Sequence, residues 1–396
     1  MKKVLIVSHA LELGGAERSL IGLLEAFDYN NYSVDLFLFR HEGELLSAIP
    51  SHVNLLPQVA AYTVLARPMK DTLKEGHVLL TGARALGKVC ARIYNKMNHF
   101  VDSDVELEYS HKFTNPFMPK INPNTVYDLA ISFLTPHYFV ANKVKAKKKI
   151  AWIHTDYGLV DVNVASECRM WSKYDHIISI SEAVTEGFLK KFPSLSNKIE
   201  YIENILSAQW IEVQSNEQIT EKNYPSNGIT LLSIGRFCTA KNFDNIPEIT
   251  KILLDKKLDV YWYLIGFGPD EKLIKSKISE FSMENRVILL GKKANPYPYI
   301  KQCDVYVQPS RYEGKCVAVR EAQLLGKPVI ITQYPTSGSQ LENGVDGLIV
   351  PLNNTECANS IYELLTDSEM MLKLTQICSE REYSNSKEID KIYKLF

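Results

Sequence analysis

Two glutamates, Glu313 and Glu321, lie eight positions apart in the stretch SRYEGKCVAVREAQLLGKPVIIT, residues 310–332. The first follows an apolar run, and the second lies in a segment that predicts a buried helix ending near Leu325, before Gly326. Eight helical residues rise about 12 Å, which approximates the distance from the sugar of a nucleotide sugar to its ribose. The diphosphate would then lie at the helix N-terminus. Alternatively, one glutamate caps the helix and the other lies on its solvated side.

Two cations, Arg236 and Lys241, follow the apolar run ITLLSIG and precede a helix that we expect to start near Asn242. At the end of a strand they could neutralise a diphosphate, Arg through a bidentate fork and Lys as a point charge. Solvated loop cations are the alternative.

A glycine pair, Gly14 and Gly15, follows the first apolar run. Glycines permit a tight turn and a close approach of a ligand to the N–H groups of the following helix. A plain strand-to-helix turn is the alternative. The pair is not part of a G-x-G-x-x-G motif, so a nicotinamide dinucleotide site is weakly supported.

Short apolar runs separated by helical segments predict the elements that position these residues. We expect strands at 3–8, 34–39, 127–133, 148–154, 176–181, 198–203, 229–235, 260–266, 286–291, 304–310, 328–332 and 347–350. This alternation is typical of buried parallel strands joined by helical crossovers. The polar residues 214–228 predict a linker. The fold class is therefore α/β, with two doubly wound Rossmann-like domains whose ligands lie beyond the carboxyl ends of the strands.

The composition fits this class. A chain of 396 residues exceeds one hydrophobic core, and a net charge of -1 gives no general attraction to nucleic acid, so we expect no nucleic-acid partner. The seven cysteines are scattered without C-x-x-C, which favours a reducing cytoplasm. The N-terminal run KVLIVS predicts a strand rather than a signal peptide, since no small-residue cleavage site follows. No run reaches the ~18 apolar residues that span a bilayer.

Residues 66–100 carry seven Lys or Arg against Asp71 and Glu75. Four of these cations, spaced four apart, form one predicted stripe of a helix: Arg84, Lys88, Arg92 and Lys96. Such a helix could make a peripheral contact with an anionic membrane surface. A solvated helix packed on its own domain is the alternative.

Four segments, GGAE, GRFCTAKN, GFGPDE and EGKCVAVREA, together resemble the retaining glycosyltransferases of family 4, especially bacterial capsule and surface-polysaccharide enzymes. The resemblance covers nearly the whole chain and is specific for fold and reaction class, but not for the sugars. It implies the GT-B fold, with two Rossmann-like domains facing a central cleft. Residues 1–210 would be the acceptor-side domain, 211–378 the nucleotide-sugar-binding domain, and 379–396 a C-terminal helix crossing back to the first domain.

The resemblance also implies roles for single residues. Glu313 would lie near the anomeric carbon of the donor sugar, and Glu321 would bind the ribose hydroxyls. Arg236 and Lys241 would stabilise the leaving diphosphate. His154, at the end of a strand in the first half, would contact the transferring sugar and complete the catalytic set.

Further donor contacts are implied by the same resemblance. The donor-binding set is Gly14, Gly15, Asn204, Arg236, Lys241, Lys292, Lys293, Gly314, Lys315, Cys316, Val317 and Glu321. The two lysines at 292 and 293 would lie beside the nucleobase. Asn204 falls at an Asn-Gly turn of the family, but Ile205 replaces the glycine. Gly-Phe-Gly of many members is replaced by Gly314, Lys315 and Cys316, so sugar selectivity can differ.

The expected function is retaining transfer of a hexosyl group from a nucleotide-diphosphate sugar, UDP-linked, to a glycan or lipid-linked acceptor in surface-polysaccharide biosynthesis. The expected location is the cytoplasm, peripheral on the inner face of the membrane. A same-face displacement, in which the leaving phosphate takes the acceptor proton, is favoured over a covalent intermediate because one carboxylate lies near the anomeric carbon.

No cofactor and no metal are expected, because the two cations cover the diphosphate, and the D-x-D motif of Asp102 and Asp104 reads as surface charge. Three alternatives remain open: a nucleotide-sugar epimerase, a non-catalytic GT-B partner subunit and a dinucleotide oxidoreductase.

Overall fold

The computed structural model describes residues 1–100, 103–221, 224 and 227–396. The chain divides into two compact units. The first comprises Met1–Ile205 together with Asn385–Phe396, and the second comprises Leu206–Ser384. These limits lie close to the expected breaks after residues 210 and 378.

The first unit contains a parallel sheet in the order β3-β2-β1-β4-β5-β6-β7. Its strands are β1 Lys2–Ser8, β2 Tyr32–Leu38, β3 Asn54–Leu55, β4 Tyr127–Ser132, β5 Ala146–Ile153, β6 His176–Ser179 and β7 Ile199–Tyr201. Its helices are α1 Gly15–Ala26, α2 Ala60–Thr63, α3 Met69–Lys74, α4 Val78–Asn98, α5 Val105–Thr114, α6 Tyr138–Lys143, α7 Val164–Trp171 and α8 Glu182–Lys191. The two-residue edge strand β3 escaped the sequence analysis because it is too short for an apolar run.

The second unit contains a parallel sheet in the order β10-β9-β8-β11-β12-β13. Its strands are β8 Ile229–Ile234, β9 Val260–Ile265, β10 Val287–Gly291, β11 Val305–Gln308, β12 Val329–Thr332 and β13 Leu348–Val350. Its helices are α9 Ala208–Ser215, α10 Ile246–Asp255, α11 Glu271–Glu280, α12 Tyr297–Gln302, α13 Val317–Leu324, α14 Ser337–Gln340, α15 Asn354–Thr366 and α16 Ser368–Glu380. Both sheets have the expected doubly wound topology, and their central strands are largely apolar because helices cover both faces.

The predicted linker at 214–228 is wrong. The boundary lies at Ile205, and the described residues of this segment belong to the second unit. Ile219 packs against the apolar cluster of that unit, and Tyr224 is buried in it. The hydroxyl of Tyr224 donates a hydrogen bond to the carbonyl of Tyr299. Two apolar anchors therefore order a segment that is polar on average.

The predicted continuous C-terminal helix is also wrong. The helix α16 ends at Glu380, and a short helix, α17 Ile389–Tyr393, follows. Between them Tyr383 is buried, and its hydroxyl lies 3.2 Å from Asp346 Oδ2. The chain then rejoins the first unit, where the hydroxyl of Tyr393 accepts a hydrogen bond from the Asp28 N–H at 2.8 Å. Side-chain anchors in two units, rather than helical periodicity, determine this path.

The predicted cationic stripe on α4 is wrong in its orientation. Arg84 is buried, and its guanidinium donates to the carbonyls of Val64, at 2.7 Å, and Arg67. Lys88 forms an ion pair with Glu106. Among the residues that the structure describes, no helix has the length and apolar content needed to cross a bilayer.

Candidate functional site

The carboxyl edge of the second sheet has a switch point between β8 and β11. The chain runs outward from β8 through β9 on one side and through β11 on the other. Loops after two such strands diverge and leave a crevice, which is where doubly wound sheets bind ligands. The loop after β8 carries Arg236 and Lys241, and the loop after β11 carries Glu313.

Lys241 and Glu313 form an ion pair in this crevice. The ammonium Nζ lies 2.5 Å from Glu313 Oε1, and the two side chains are 18% and 11% exposed. The lysine stem lies against Gly235, where an added Cβ would stand 3.2 Å from Lys241 Cε. The expected helix near Asn242 is displaced: Asn242 is buried in a left-handed conformation with φ 60°, and α10 begins only at Ile246. This kink aims Lys241 at the second loop.

A hydrogen-bonded chain that the sequence analysis missed orients Glu313. The Ser310 hydroxyl donates to Glu313 Oε1 at 2.6 Å, and the Gln308 amide donates to the Ser310 hydroxyl at 2.9 Å. The hydroxyl of Tyr306 in turn donates to Gln308 Oε1 at 2.7 Å. Ser310 and Gln308 are fully buried. Because a buried polar chain of this kind fixes each rotamer, the carboxylate is preorganised.

Charges around Lys241 keep it protonated. Burial by itself lowers the pKa of Lys241, but the neighbouring Cys316 and Glu313 outweigh burial and raise that pKa to about 12. Burial raises the pKa of the Cys316 thiol to about 11, so this thiol is neutral at pH 7 and Glu313 is the counter-ion there. The raised pKa of Lys241 means that the stabilisation from its pairing is complete below about pH 10.5 and is lost as the pH rises through about 12.

A second pair joins the two loops. The Arg311 guanidinium donates to both carboxylate oxygens of Asp244, at 3.0 and 2.9 Å, and to the Thr239 carbonyl at 2.6 Å. The backbone N–H of Arg311 donates to the Ala240 carbonyl at 2.8 Å. A planar fork matches a carboxylate in this way, whereas lysine does not. Because Ala240 precedes Lys241 and Arg311 lies close to Glu313 in the chain, this contact positions the ion pair.

Glu321 lies behind this loop, within α13. It is fully buried, and Tyr297 donates its hydroxyl hydrogen to Glu321 Oε1 at 2.9 Å. The helix starts at Val317 after Cys316, and Gly326 follows its end with φ +68°, as predicted. The backbone N–H of Cys316 donates to Gln340 Oε1 at 2.7 Å. That amide is thus already satisfied within the protein.

The other residues of the second unit that we predicted to contact the donor differ in their exposure and in their partners. Arg236 is exposed and makes no ion pair within the described ranges. Lys292 is exposed, with Nζ 4.9 Å from the centroid of the Phe267 ring. Lys293 forms an ion pair with Glu221. Gly314 and Lys315 are half-buried in the loop that carries Glu313.

The first unit places the glycine pair and Asn204 as follows. Gly14 precedes α1, which begins at Gly15, and a Cβ at Gly14 would lie 2.1 Å from the carboxylate of Glu17. An acidic side chain therefore covers this helix N-terminus, and burial raises the pKa of Glu17. Asn204 Oδ1 accepts a hydrogen bond from the Ser19 hydroxyl at 2.9 Å, so its side chain binds α1.

His154 follows β5 and packs on Phe133, with ring centroids 4.6 Å apart. Burial lowers its pKa to about 3. Its Nε2 has no hydrogen-bond partner in the part of the chain that the structure describes. A neutral imidazole of this kind can hydrogen-bond a sugar hydroxyl but carries no charge at pH 7.

The sequence analysis missed the half-buried His9 and the buried His111, which lie close together in the first unit. His9 follows β1 directly and stacks on His111 of α5, with centroids 5.3 Å apart. Burial lowers the pKa of His9 to about 4 and that of His111 well below its normal value. The available signal for His9 was its position directly after a predicted strand, a position that His154 shares.

Within the described residues, no group of three or more His, Cys, Asp or Glu side chains could hold a metal ion. Of the D-x-D motif, Asp102 lies outside the described residues. Asp104 precedes α5, and its backbone N–H donates to the Asp161 carbonyl at 3.0 Å.

Comparisons with known proteins show what the segment carrying this site is similar to. Residues 214–381 match the family model described as glycosyl transferases group 1. This match covers nearly the whole of the second unit, Leu206–Ser384. Its ion pair, buried glutamate and loop cations all lie within the matched residues.

Two curated glycosyltransferases match this chain over part of its length. One from Escherichia coli, a UDP-Gal:alpha-D-GlcNAc-diphosphoundecaprenol alpha-1,3-galactosyltransferase, is 25% identical over 43% of this chain and 46% of its own. One from Campylobacter jejuni, an N-acetylgalactosamine-N,N'-diacetylbacillosaminyl-diphospho-undecaprenol 4-alpha-N-acetylgalactosaminyltransferase, is 24% identical over 56% of this chain and 58% of its own. The chain thus spans about half the length of these relatives.

Solved structures extend the likeness to both units. TarM matches with a TM-score of 0.68 at 14% identity, covering 100% of this chain and 98% of its own. Anabaena Alr3699/HepE in complex with UDP-glucose matches with a TM-score of 0.66 at 17% identity, covering 100% of both chains. The predicted GT-B fold class is confirmed.

Proposed function

We propose that this protein is a retaining glycosyltransferase that moves a sugar from a UDP-sugar to a hydroxyl of a lipid-linked glycan. The observation that carries the proposal is the Lys241–Glu313 ion pair, at 2.5 Å, beside the switch point of the second sheet. A fixed cation and a fixed carboxylate at that edge suit a ligand with a diphosphate and an electron-poor sugar carbon.

Two cations would bind the diphosphate. Lys241 supplies an ammonium group that stays protonated at every physiological pH, because its pKa is raised to about 12. Arg236 supplies an exposed guanidinium on the same loop. Charge develops on the bridging oxygen as the sugar leaves, so cations placed there stabilise the transition state more than the ground state. In this proposal they fill the role that a metal ion has in other transferases.

Glu313 would face the anomeric region of the sugar. In a same-face displacement, the bond from the anomeric carbon to the phosphate oxygen breaks first, and the acceptor oxygen forms its bond on the same face. The acceptor proton passes to the leaving phosphate. A preorganised carboxylate stabilises the positive charge on the sugar in this step, and the hydrogen bond from Ser310 holds it in place.

The donor and acceptor are inferred from relatives. The E. coli relative is named for UDP-Gal and a diphosphoundecaprenol acceptor, and the C. jejuni relative for a diphospho-undecaprenol acceptor. Such an acceptor remains in a bilayer, so the proposal includes peripheral association with the inner face of the membrane.

The first test substitutes Glu313→Gln. The amide still accepts a hydrogen bond from Ser310, so the fold is retained, while loss of the charge lowers transfer by about 10²-fold or more. Transfer is measured as UDP release with the acceptor present, and Tm is recorded alongside. Glu356→Gln, an exposed first-turn glutamate of α15, is the matched control. Transfer near the wild-type rate by Glu313→Gln would refute the assignment.

A panel of nucleotide sugars identifies the donor. A ligand that binds only the folded state raises Tm. At a ligand concentration one hundred times its Kd, the free energy of unfolding rises by about 2.7 kcal/mol. Incubating the protein with the stabilising donor alone distinguishes the rival activity, because a new sugar isomer without acceptor would indicate an epimerase.

A further inference from the structure

The outward side of α4 exposes a continuous stripe of large apolar side chains. Leu79, Leu86, Ile93 and Met97 are 71%, 55%, 56% and 74% exposed, and Val89 between them is 51% exposed. Their spacing of three, four and seven residues puts them on one face. The stripe covers most of a helix of 21 residues, about 30 Å long. We call this stripe the α4 outer face.

The opposite side of α4 fixes this orientation. Leu80, Arg84, Gly87 and Ala91 are buried against the first unit. A Cβ at Gly87 would lie 2.8 Å from the Tyr109 carbonyl oxygen, so α4 packs closely on α5 there. The Arg84 guanidinium is held by the carbonyls of Val64 and Arg67. The helix therefore cannot roll to bury the α4 outer face.

Cations border the stripe. Arg92 and Lys96 are exposed beside Ile93 and Met97, and α4 contains no Asp or Glu. The preceding helix α3 adds the exposed Lys70, Lys74 and Leu73, and it is tied to α4 by a 2.8 Å contact between the Thr72 and Thr81 hydroxyls. An apolar face rimmed by cations matches a bilayer surface, where acyl chains lie below anionic headgroups.

We propose that the α4 outer face docks onto the anionic surface of a lipid bilayer, with its apolar side chains among the acyl chains and its cations at the headgroups. This deepens the proposed function, since it names the surface that would bring the enzyme to a lipid-linked acceptor. A second copy of the chain is a poorer occupant. Two such faces would bring Arg92 and Lys96 of each copy together with no carboxylate from α4 between them.

The experiment is flotation of the full chain with vesicles of equimolar phosphatidylglycerol and phosphatidylcholine. The double variant Leu86→Glu, Ile93→Glu loses two inserted side chains, so the vesicle partition coefficient falls by about tenfold or more per substitution. Arg92→Gln with Lys96→Gln lowers it by about fivefold per cation and removes most of its salt dependence. The control is Val126→Glu with Leu159→Glu, two exposed apolar residues of the first unit outside α4, which leaves partition unchanged.

Three results would overturn the proposal: no wild-type partition into these vesicles, equal partition of the Leu86→Glu, Ile93→Glu variant, or a wild-type dimer in sedimentation that this variant dissociates. UDP-sugar binding of the same variants is measured in free solution. Since α4 lies in a different unit from the Lys241–Glu313 pair, donor binding without vesicle binding would overturn only the docking surface. Vesicle binding without donor binding would overturn only the proposed function.

Discussion

At the scale of single residues, the charge of Lys241 and the orientation of Glu313 decide what the site can do. The two side chains come from different loops and meet at 2.5 Å, and Ser310 adds a second hydrogen bond to the same carboxylate oxygen. A carboxylate with two partners on one oxygen has little rotational freedom, which leaves its other oxygen directed by the protein.

Ser310→Ala tests this orientation. The substitution removes the 2.6 Å hydrogen bond to Glu313 and leaves the buried Gln308 amide without its acceptor. Unfolding free energy should fall by about 1–3 kcal/mol. We expect kcat for transfer to fall by about tenfold with little change in KM, because orientation matters in the transition state.

Steady-state kinetics and urea unfolding measure the two effects. Ser339→Ala, which removes an exposed hydroxyl that donates to the Thr336 carbonyl, is the control. Unchanged kcat in the Ser310 variant would show that Glu313 needs no support from the buried chain.

At the scale of elements, the loops after β8 and β11 act as one body. Arg311 binds Asp244 with both nitrogens and reaches the Thr239 carbonyl, so the loop with Lys241 cannot move independently of the loop with Glu313. The kink at Asn242 is part of the same arrangement, because it delays α10 until Ile246.

Arg311→Lys should loosen these loops while keeping the charge. A lysine cannot span both oxygens of Asp244, so we expect donor affinity to fall by about tenfold. The binding isotherm of the UDP-sugar identified in the panel provides the measurement. Arg286→Lys, at the exposed pair with Asp259 on the same unit, is the matched control. Equal affinity of the Arg311 variant and the wild type would contradict a positioning role for the fork.

At the scale of the whole molecule, the two units differ in their response to acid. All nine histidines lie between residues 9 and 176, in the first unit. Burial lowers the pKa of His9 to about 4 and of His154 to about 3, and it holds the pKa values of His111 and His137 well below normal. In the unfolded chain these imidazoles take up protons as the pH falls through about 6.5, whereas in the folded protein they remain neutral until a lower pH.

The first unit should therefore lose stability as the pH falls from 6.5 toward 4, by about 1.4 kcal/mol per pH unit for each buried histidine. Urea unfolding at pH 7, 6 and 5 measures this slope. His111→Phe keeps the ring contacts with Phe39 and Phe139. It removes one titrating group, so the slope of unfolding free energy against pH should fall by about 1.4 kcal/mol per pH unit. His52→Phe, at an exposed position, controls for the substitution. A slope that is equal in the His111 variant and in the wild type would contradict a neutral, buried His111.

The sequence determined the twelve longer strands, the parallel doubly wound class and the loops that carry Lys241 and Glu313. These follow from local rules, because apolar runs must be buried and turn residues end them. The sequence did not determine which side of α4 is buried. The Arg84 guanidinium donates to the carbonyls of Val64 and Arg67, which are distant in the chain, and these hydrogen bonds offset part of the cost of burying the cation.

Only the tertiary structure decided the partners. Ser310 with Glu313, Arg311 with Asp244, Asn204 with Ser19 and Tyr383 with Asp346 are joined by contacts whose geometry depends on how the elements pack. The two-residue strand β3 and the ordered conformation of residues 214–221 also depend on packing between distant parts of the chain. The burial of most residues follows from the local pattern of apolar and polar side chains. The partner of a polar side chain instead depends on distances between residues that are far apart in the sequence, and folding alone sets those distances.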